Sequence, residues 1–150
     1  MFFPTSPKIR CVAVVSKSDT PLFISLPPSD ENIVFHFMVH SALDYIDEKL
    51  KPSRPSRSSC YLDLLFPYQL FRVYGYVTPT DTKFILIIDD SNVTKTSVLE
   101  FFKSIHSAFM KVALNPFFED GSSISSTLFL NRVTTASNLL EGELKTTFKG

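Results

Sequence analysis

Glycine is scarce in this chain: Gly75, Gly121, Gly142 and Gly150 are all that 150 residues contain. None stands in a phosphate-cradling spacing such as GxxxxGK, which removes a nucleotide-binding loop. Gly75, between Tyr74 and Tyr76, falls inside a strand pattern and points to a bulge or a closely packed helix. Cysteine is scarcer still. Cys11 and Cys60 sit in apolar, strand-like surroundings, too few for a disulfide scaffold, and read as buried reduced thiols. An excess of either charge is missing too. Fifteen basic residues balance fifteen acidic ones, so there is no electrostatic reason to expect DNA or RNA. A net charge near zero also lowers colloidal repulsion, as suits a protein that lives inside an assembly. The densest apolar run, "FILII" at Phe84 to Ile88, is far shorter than the roughly 20 residues of a membrane span. The opening "MFFPTSPKIR" has no basic segment ahead of its apolar residues and is interrupted by Pro4 and Pro7, unlike a signal peptide. The expectation is a soluble, cytosolic protein.

What is present describes one domain, 44% hydrophobic and 20% charged. "KIRCVAVVS" (Lys8 to Ser16) is apolar on both alternating faces, as in a strand covered on both sides. "KSDTP" supplies turn residues, and "LFISL" (Leu22 to Leu26) completes a hairpin. Ser29 or Asp30 suits a helix N-cap, and a helix from about Glu31 to Leu50 follows. Its apolar face gathers Val34, Phe35, Met38, Val39, Ala42, Leu43, Tyr45, Ile46 and Leu50. After the Pro-, Ser- and Arg-rich loop "KPSRPSRSS" come strands at Cys60 to Phe66, Gln69 to Val77 and Lys83 to Asp90. Pro67 marks the first of these as an edge or a terminus, and the last, the most apolar, reads as central. "SVLEFFKSIHSAFMKVAL" is a second helix, with Ser97 and Glu100 at capping-box spacing and a possible start as early as Val93. Val98, Phe101, Phe102, Ile105, Ala108, Phe109 and Val112 form its buried stripe. A third, weaker helix from about Ser125 to Leu140 presents Phe129, Val133, Ala136 and Leu140, ahead of a frayed tail. The order is ββαβββαα, an α+β fold with helices on both sides of a largely antiparallel sheet.

No catalytic constellation emerges. His36 and His40 are four apart on the first helix with Asp44 one turn on, a spacing that invites a metal. A metalloprotease helix, however, needs Glu where Phe37 stands, and three ligands in line over two turns diverge from a tetrahedral centre. The third histidine, His106, belongs to another helix. No G-x-S-x-G elbow occurs, and Asp89 and Asp90 read as turn and cap residues before "SNVTKTS". Lys49, Lys51, Arg54 and Arg57 could meet anionic lipid or an acidic partner, and phosphorylation of Ser53, Ser56, Ser58 or Ser59 would reverse the sign of that loop. No cofactor is expected.

Apolar residues in outward positions are the stronger signal. Ile33 and Phe37 project among His36, His40 and Asp44, and Leu99, Met110 and Leu114 lie off the main stripe of the second helix. Cover by the last helix or the long loop is one reading; a surface for a partner protein is the other.

"FHFMVHSALDYIDEKL", "YGYVTPTDTKFILIIDDSN" and "NPFF" resemble the sedlin family of longin-fold proteins, over about Ile9 to Val133. The resemblance implies a longin-like, five-stranded antiparallel sheet with one helix on one face and two on the other. It bounds a domain at residues 9–138, between an N-terminal extension (1–8) and a flexible tail (139–150). It implies a non-catalytic adaptor subunit of the trafficking protein particle (TRAPP) tethering complex. That complex acts as a guanine nucleotide exchange factor for Rab-type GTPases in ER-to-Golgi and intra-Golgi transport, at ER and cis-Golgi membranes. The implied partners are other TRAPP subunits, core and larger, with a Rab-type GTPase and the Golgi membrane reached indirectly. The rival readings are another longin-fold trafficking protein, such as a small coat-adaptor subunit or a SNARE regulatory domain, and a metal-dependent enzyme using His36 and His40.

Overall fold

Alternation along the strands dictates the architecture. A computed structural model of the chain describes residues 9–25, 32–49, 61–68, 71–89, 95–116 and 127–149. The strands are β1 (Ile9–Val15), β2 (Pro21–Ser25), β3 (Tyr61–Tyr68), β4 (Phe71–Val77) and β5 (Lys83–Asp89). They form one five-stranded sheet in the order β2-β1-β5-β4-β3, with every neighbouring pair antiparallel. Three helices complete the order ββαβββαα: α1 (Asn32–Lys49), α2 (Lys95–Ala113) and α3 (Thr127–Lys149). The expected α+β fold is the one observed.

In β5, Phe84, Leu86 and Ile88 point to one side, and Ile85 and Ile87 to the other; all five are fully buried. On the first side they meet Val12, Val14, Tyr74 and Tyr76 of the flanking strands, beneath α2 and α3. On the second they meet Cys11, Ala13, Val15, Val73 and Val77, beneath α1. One helix therefore covers one face and two cover the other. The crossover makes this unavoidable, because α1 joins the edge strand β2 to the opposite edge strand β3 and must lie across the sheet.

Each helix seats the stripe that its spacing foretells. Phe35, Met38, Val39, Ala42, Leu43 and Ile46 of α1 are buried, as are Val98, Phe101, Phe102, Ile105, Ala108 and Phe109 of α2. Phe129, Val133, Ala136 and Leu140 of α3 are buried as well. Three expected core residues differ, Val112 of α2 being only partly buried against the core. Val34 is 37% exposed at the rim, and Tyr45 is 47% exposed, its ring stacked 4.6 Å from that of Phe66 on the edge strand. Leu50, Ser29, Asp30 and the loop from Lys51 to Ser59 fall outside the described residues, as does Cys60.

Local chemistry refines the boundaries. The β1–β2 and β4–β5 turns close alike: Asp19 N–H donates to Ser16 O and Asp81 N–H to Thr78 O, each at 2.9 Å. Asp19 (φ 63°) and Asp81 (φ 66°) take the left-handed position that a three-residue hairpin requires and that a short polar side chain tolerates. Pro79 supplies the fixed φ at the first turn position. Pro67 lies within β3 rather than ending it, which an edge strand allows because one row of N–H groups needs no partner. Helix α2 starts at Lys95, so Ser97 is inside the helix and does not cap it. Helix α3 continues past Leu140 to Lys149, a correction to the expected end. Glu141 explains part of it: its Oε1 accepts the Ile9 N–H at 3.0 Å, tying the helix to β1.

Gly75 meets one half of its expectation and corrects the other: it pairs with Asp63 beside a register shift in β3 between Tyr61 and Asp63, as a bulge requires. The group crowding it belongs to the next strand, not to a helix. A Cβ there would stand 2.9 Å from Leu65 Cδ1 and 3.2 Å from Leu65 Cγ. Asp89 likewise serves a cross-strand role: Arg10 Nε and Nη2 fork onto its two carboxylate oxygens at 2.8 and 3.1 Å, where the sequence suggested turn bonding. Lys83, buried at the start of β5, is paired with Asp19 of the first hairpin turn and lies 3.9 Å from Asp47 of α1. His106 is half-buried against the sheet, its Nδ1 hydrogen-bonded to Tyr76 Oη at 3.0 Å, and burial pushes its pKa below the ordinary value.

Gly75→Ala should destabilise the fold by about 1–2 kcal/mol in chemical denaturation, because a methyl must displace packed Leu65. Combined with Leu65→Ala it should cost less than the two separate losses added together. For His106, the unfolded chain takes up a proton below the ordinary pKa of 6.5 that the folded imidazole resists. Stability should therefore fall as pH drops from about 7 towards about 5. Melting curves of His106→Gln should show a flatter dependence over that range; an unchanged slope would remove His106 as its source.

Candidate functional site

The histidines that invited a metal are kept apart. His36 and His40 lie exposed on α1, whereas His106 is on α2, across the sheet and engaged with Tyr76. Among the described residues, no three His, Cys, Asp or Glu side chains are grouped so as to hold a metal ion. Cys11 is buried and free, and desolvation pushes its thiol up to about 12. At that value it stays protonated and is a poor nucleophile or ligand.

The outward face of α1 is assembled as the spacing requires. Residues 33, 36, 37, 40 and 44 follow one stripe of the helix, about 16 Å from end to end at 1.5 Å per residue. Ile33 is 80% exposed and Phe37 58%, with His36, His40 and Asp44 exposed between and beyond them. Burial of Phe35, Met38 and Ala42 on the opposite side of the same helix fixes this orientation. Chemically the stripe offers two large apolar groups, two imidazoles and one carboxylate. Such a mixture suits contact with protein better than catalysis.

The three outward residues of α2 are not brought together. Met110 and Leu114 are one turn apart and exposed at the C-terminal end, whereas Leu99 is half-buried and packs against the core. Leu99 was expected to face outward; the packing of α2 on the sheet draws it in. Helix α3 does not cover Met110 or Leu114, which stay 50% and 79% exposed.

Two concave surfaces escaped the sequence reading. One, of about 210 Å³, lies between β1, β2 and α3, where Arg10 and Glu141 are already engaged with Asp89 and with the Ile9 N–H. The other, of about 310 Å³, runs between α2 and α3 past Lys103, Lys111 and Arg132. Its signal was available, since residues 100, 103, 104, 107 and 111 share one stripe of α2. Only the pairing of α2 with α3 shows that Arg132 joins them. The basic residues Lys51, Arg54 and Arg57 and the serines of the same loop lie outside the described residues.

The family profile of sedlin matches residues 14–138. The trafficking protein particle complex subunit 2-like protein of Dictyostelium discoideum is 41% identical over 132 residues, covering 85% of this chain and 94% of that protein. Its namesake in Xenopus tropicalis is 36% identical over 130 residues, 83% of this chain and 94% of the relative. The transport protein particle 20 kDa subunit of Schizosaccharomyces pombe is 24% identical over 125 residues, 78% and 88% of the two chains. A match of this extent, on the element order and two-sided sheet described above, places the chain in the sedlin family.

Proposed function

We propose that this chain is a non-catalytic adaptor subunit of a TRAPP vesicle-tethering complex. It supports assembly of a Rab guanine nucleotide exchange factor in ER-to-Golgi and intra-Golgi transport. The relatives reported above are named as subunits of such a particle, and this chain covers nearly their whole length. The observation that carries the reading is the outward stripe of α1, with Ile33 and Phe37 exposed on a helix whose other side packs on the sheet through Phe35, Met38, Ala42 and Ile46. An adaptor needs such a surface and no reactive centre. Other TRAPP subunits are the direct partners, with a Rab-type GTPase and the Golgi membrane reached through them. Among the described residues no helix is long and apolar enough to cross a membrane, which accords with peripheral association. Met110 and Leu114 offer a second contact beyond the sheet.

Burial of an exposed aromatic ring in a partner's pocket is the commonest source of strong single-residue contributions. Phe37→Ala should weaken assembly with TRAPP subunits by about 2 kcal/mol or more, read as lost co-purification. Its melting temperature should stay close to that of the unsubstituted protein. Unchanged recovery of partners would rule out this stripe, and a large drop in melting temperature would assign Phe37 to the fold.

A further inference from the structure

The groove between α2 and α3 has a character that the α1 stripe lacks. Three cations border it, Lys103 and Lys111 from α2 and Arg132 from α3, against one acid, Glu100. Among the described residues none of the three cations is ion-paired. Ser104 and Ser107 add hydroxyls, and buried Ala108 keeps the floor low. In a chain whose net charge is zero, this is a local concentration of positive charge on a concave surface.

The far bank, on α3, flanks its arginine with leucines. Leu128, Arg132, Thr135 and Leu139 are spaced i, i+4, i+7 and i+11, so they share one stripe of α3. That stripe adjoins the groove, because Arg132 lines it. Leu128 is 78% exposed and Leu139 67%, on either side of the arginine. Eleven residues span about 16 Å, or three helical turns. The surface is thus a trough between α2 and α3, with exposed leucines near its ends and cations along its middle.

The geometry points to a docking site for an acidic, amphipathic helical segment of a partner protein, about three turns long. A helix lying in the trough sets apolar residues on Leu128 and Leu139 and carboxylates against Lys103, Arg132 and Lys111. Charge complementarity selects an acidic segment over a neutral or basic one. Concavity selects a rod over a bilayer, because a flat lipid surface reaches the banks of a trough and not its floor. The site is separate from the α1 stripe, which lies across the sheet, and it does not depend on the role proposed for that stripe.

The test uses the full chain and a fluorescent, helix-stapled peptide of about 15 residues. The peptide carries leucine at i, i+4, i+7 and i+11, with glutamate on the flanking positions. Fluorescence anisotropy should show saturable binding that weakens with added salt. The pair Lys103→Glu and Arg132→Glu should weaken it about tenfold or more, and Leu139→Ala roughly fivefold. Phe37→Ala should leave it unchanged, which separates this site from the α1 stripe. The proposal fails if the folded protein does not bind the peptide, or if a lysine-for-glutamate version binds as well. It also fails if the charge-reversed protein binds undiminished, or if phosphatidylserine vesicles bind through these residues in place of the peptide.

Discussion

Strand β5 leaves no face for water, and that constraint organises the molecule. With Phe84, Leu86 and Ile88 on one side and Ile85 and Ile87 on the other, both sheet surfaces must be covered. The chain meets this by sending α1 across one face on its way between the sheet edges and laying the α2–α3 hairpin on the other. At roughly 25 cal/mol per Å² of apolar surface removed from water, exposing either face would cost more than the few kcal/mol by which a domain of this size is stable.

The polar contacts at the margins of this sandwich fix its register more than they drive its folding. Arg10 and Asp89 clamp β1 to β5, and Lys83 ties β5 to the first hairpin turn. Asp19 and Asp81 make the β1–β2 and β4–β5 turns with side chains that tolerate a left-handed backbone, which is one reason the chain manages with so little glycine. Where glycine does favour close packing, at Gly75, the crowding comes from the Leu65 side chain on the neighbouring edge strand.

Among the described residues the helices present three outward surfaces that differ in kind. The α1 stripe combines aromatic and aliphatic groups with imidazole; the end of α2 exposes Met110 and Leu114; the α2–α3 trough is bordered by Lys103, Lys111 and Arg132. A small subunit with chemically distinct surfaces on opposite sides can engage different neighbours at once. Such an arrangement suits the adaptor role proposed above.

Periodicity carries information about which side of an element is buried, so the sequence by itself determined the eight elements, their order, the central place of β5 and almost every core residue. It also determined the outward position of Ile33, Phe37, Met110 and Leu114, since these fall off a stripe that must face inward. Tertiary structure decided what depends on neighbours from distant parts of the chain. Tyr45 is half-exposed because Phe66 offers its ring a stacking partner at the sheet edge. Leu99 turns inward because α2 settles on the sheet at that end, and α3 runs on to Lys149 with Glu141 holding the Ile9 N–H. The basic trough exists only because Arg132 is brought alongside Lys103 and Lys111. A helical stripe is a one-dimensional property and can be read from spacing, whereas a groove between two helices requires knowing which flanks meet.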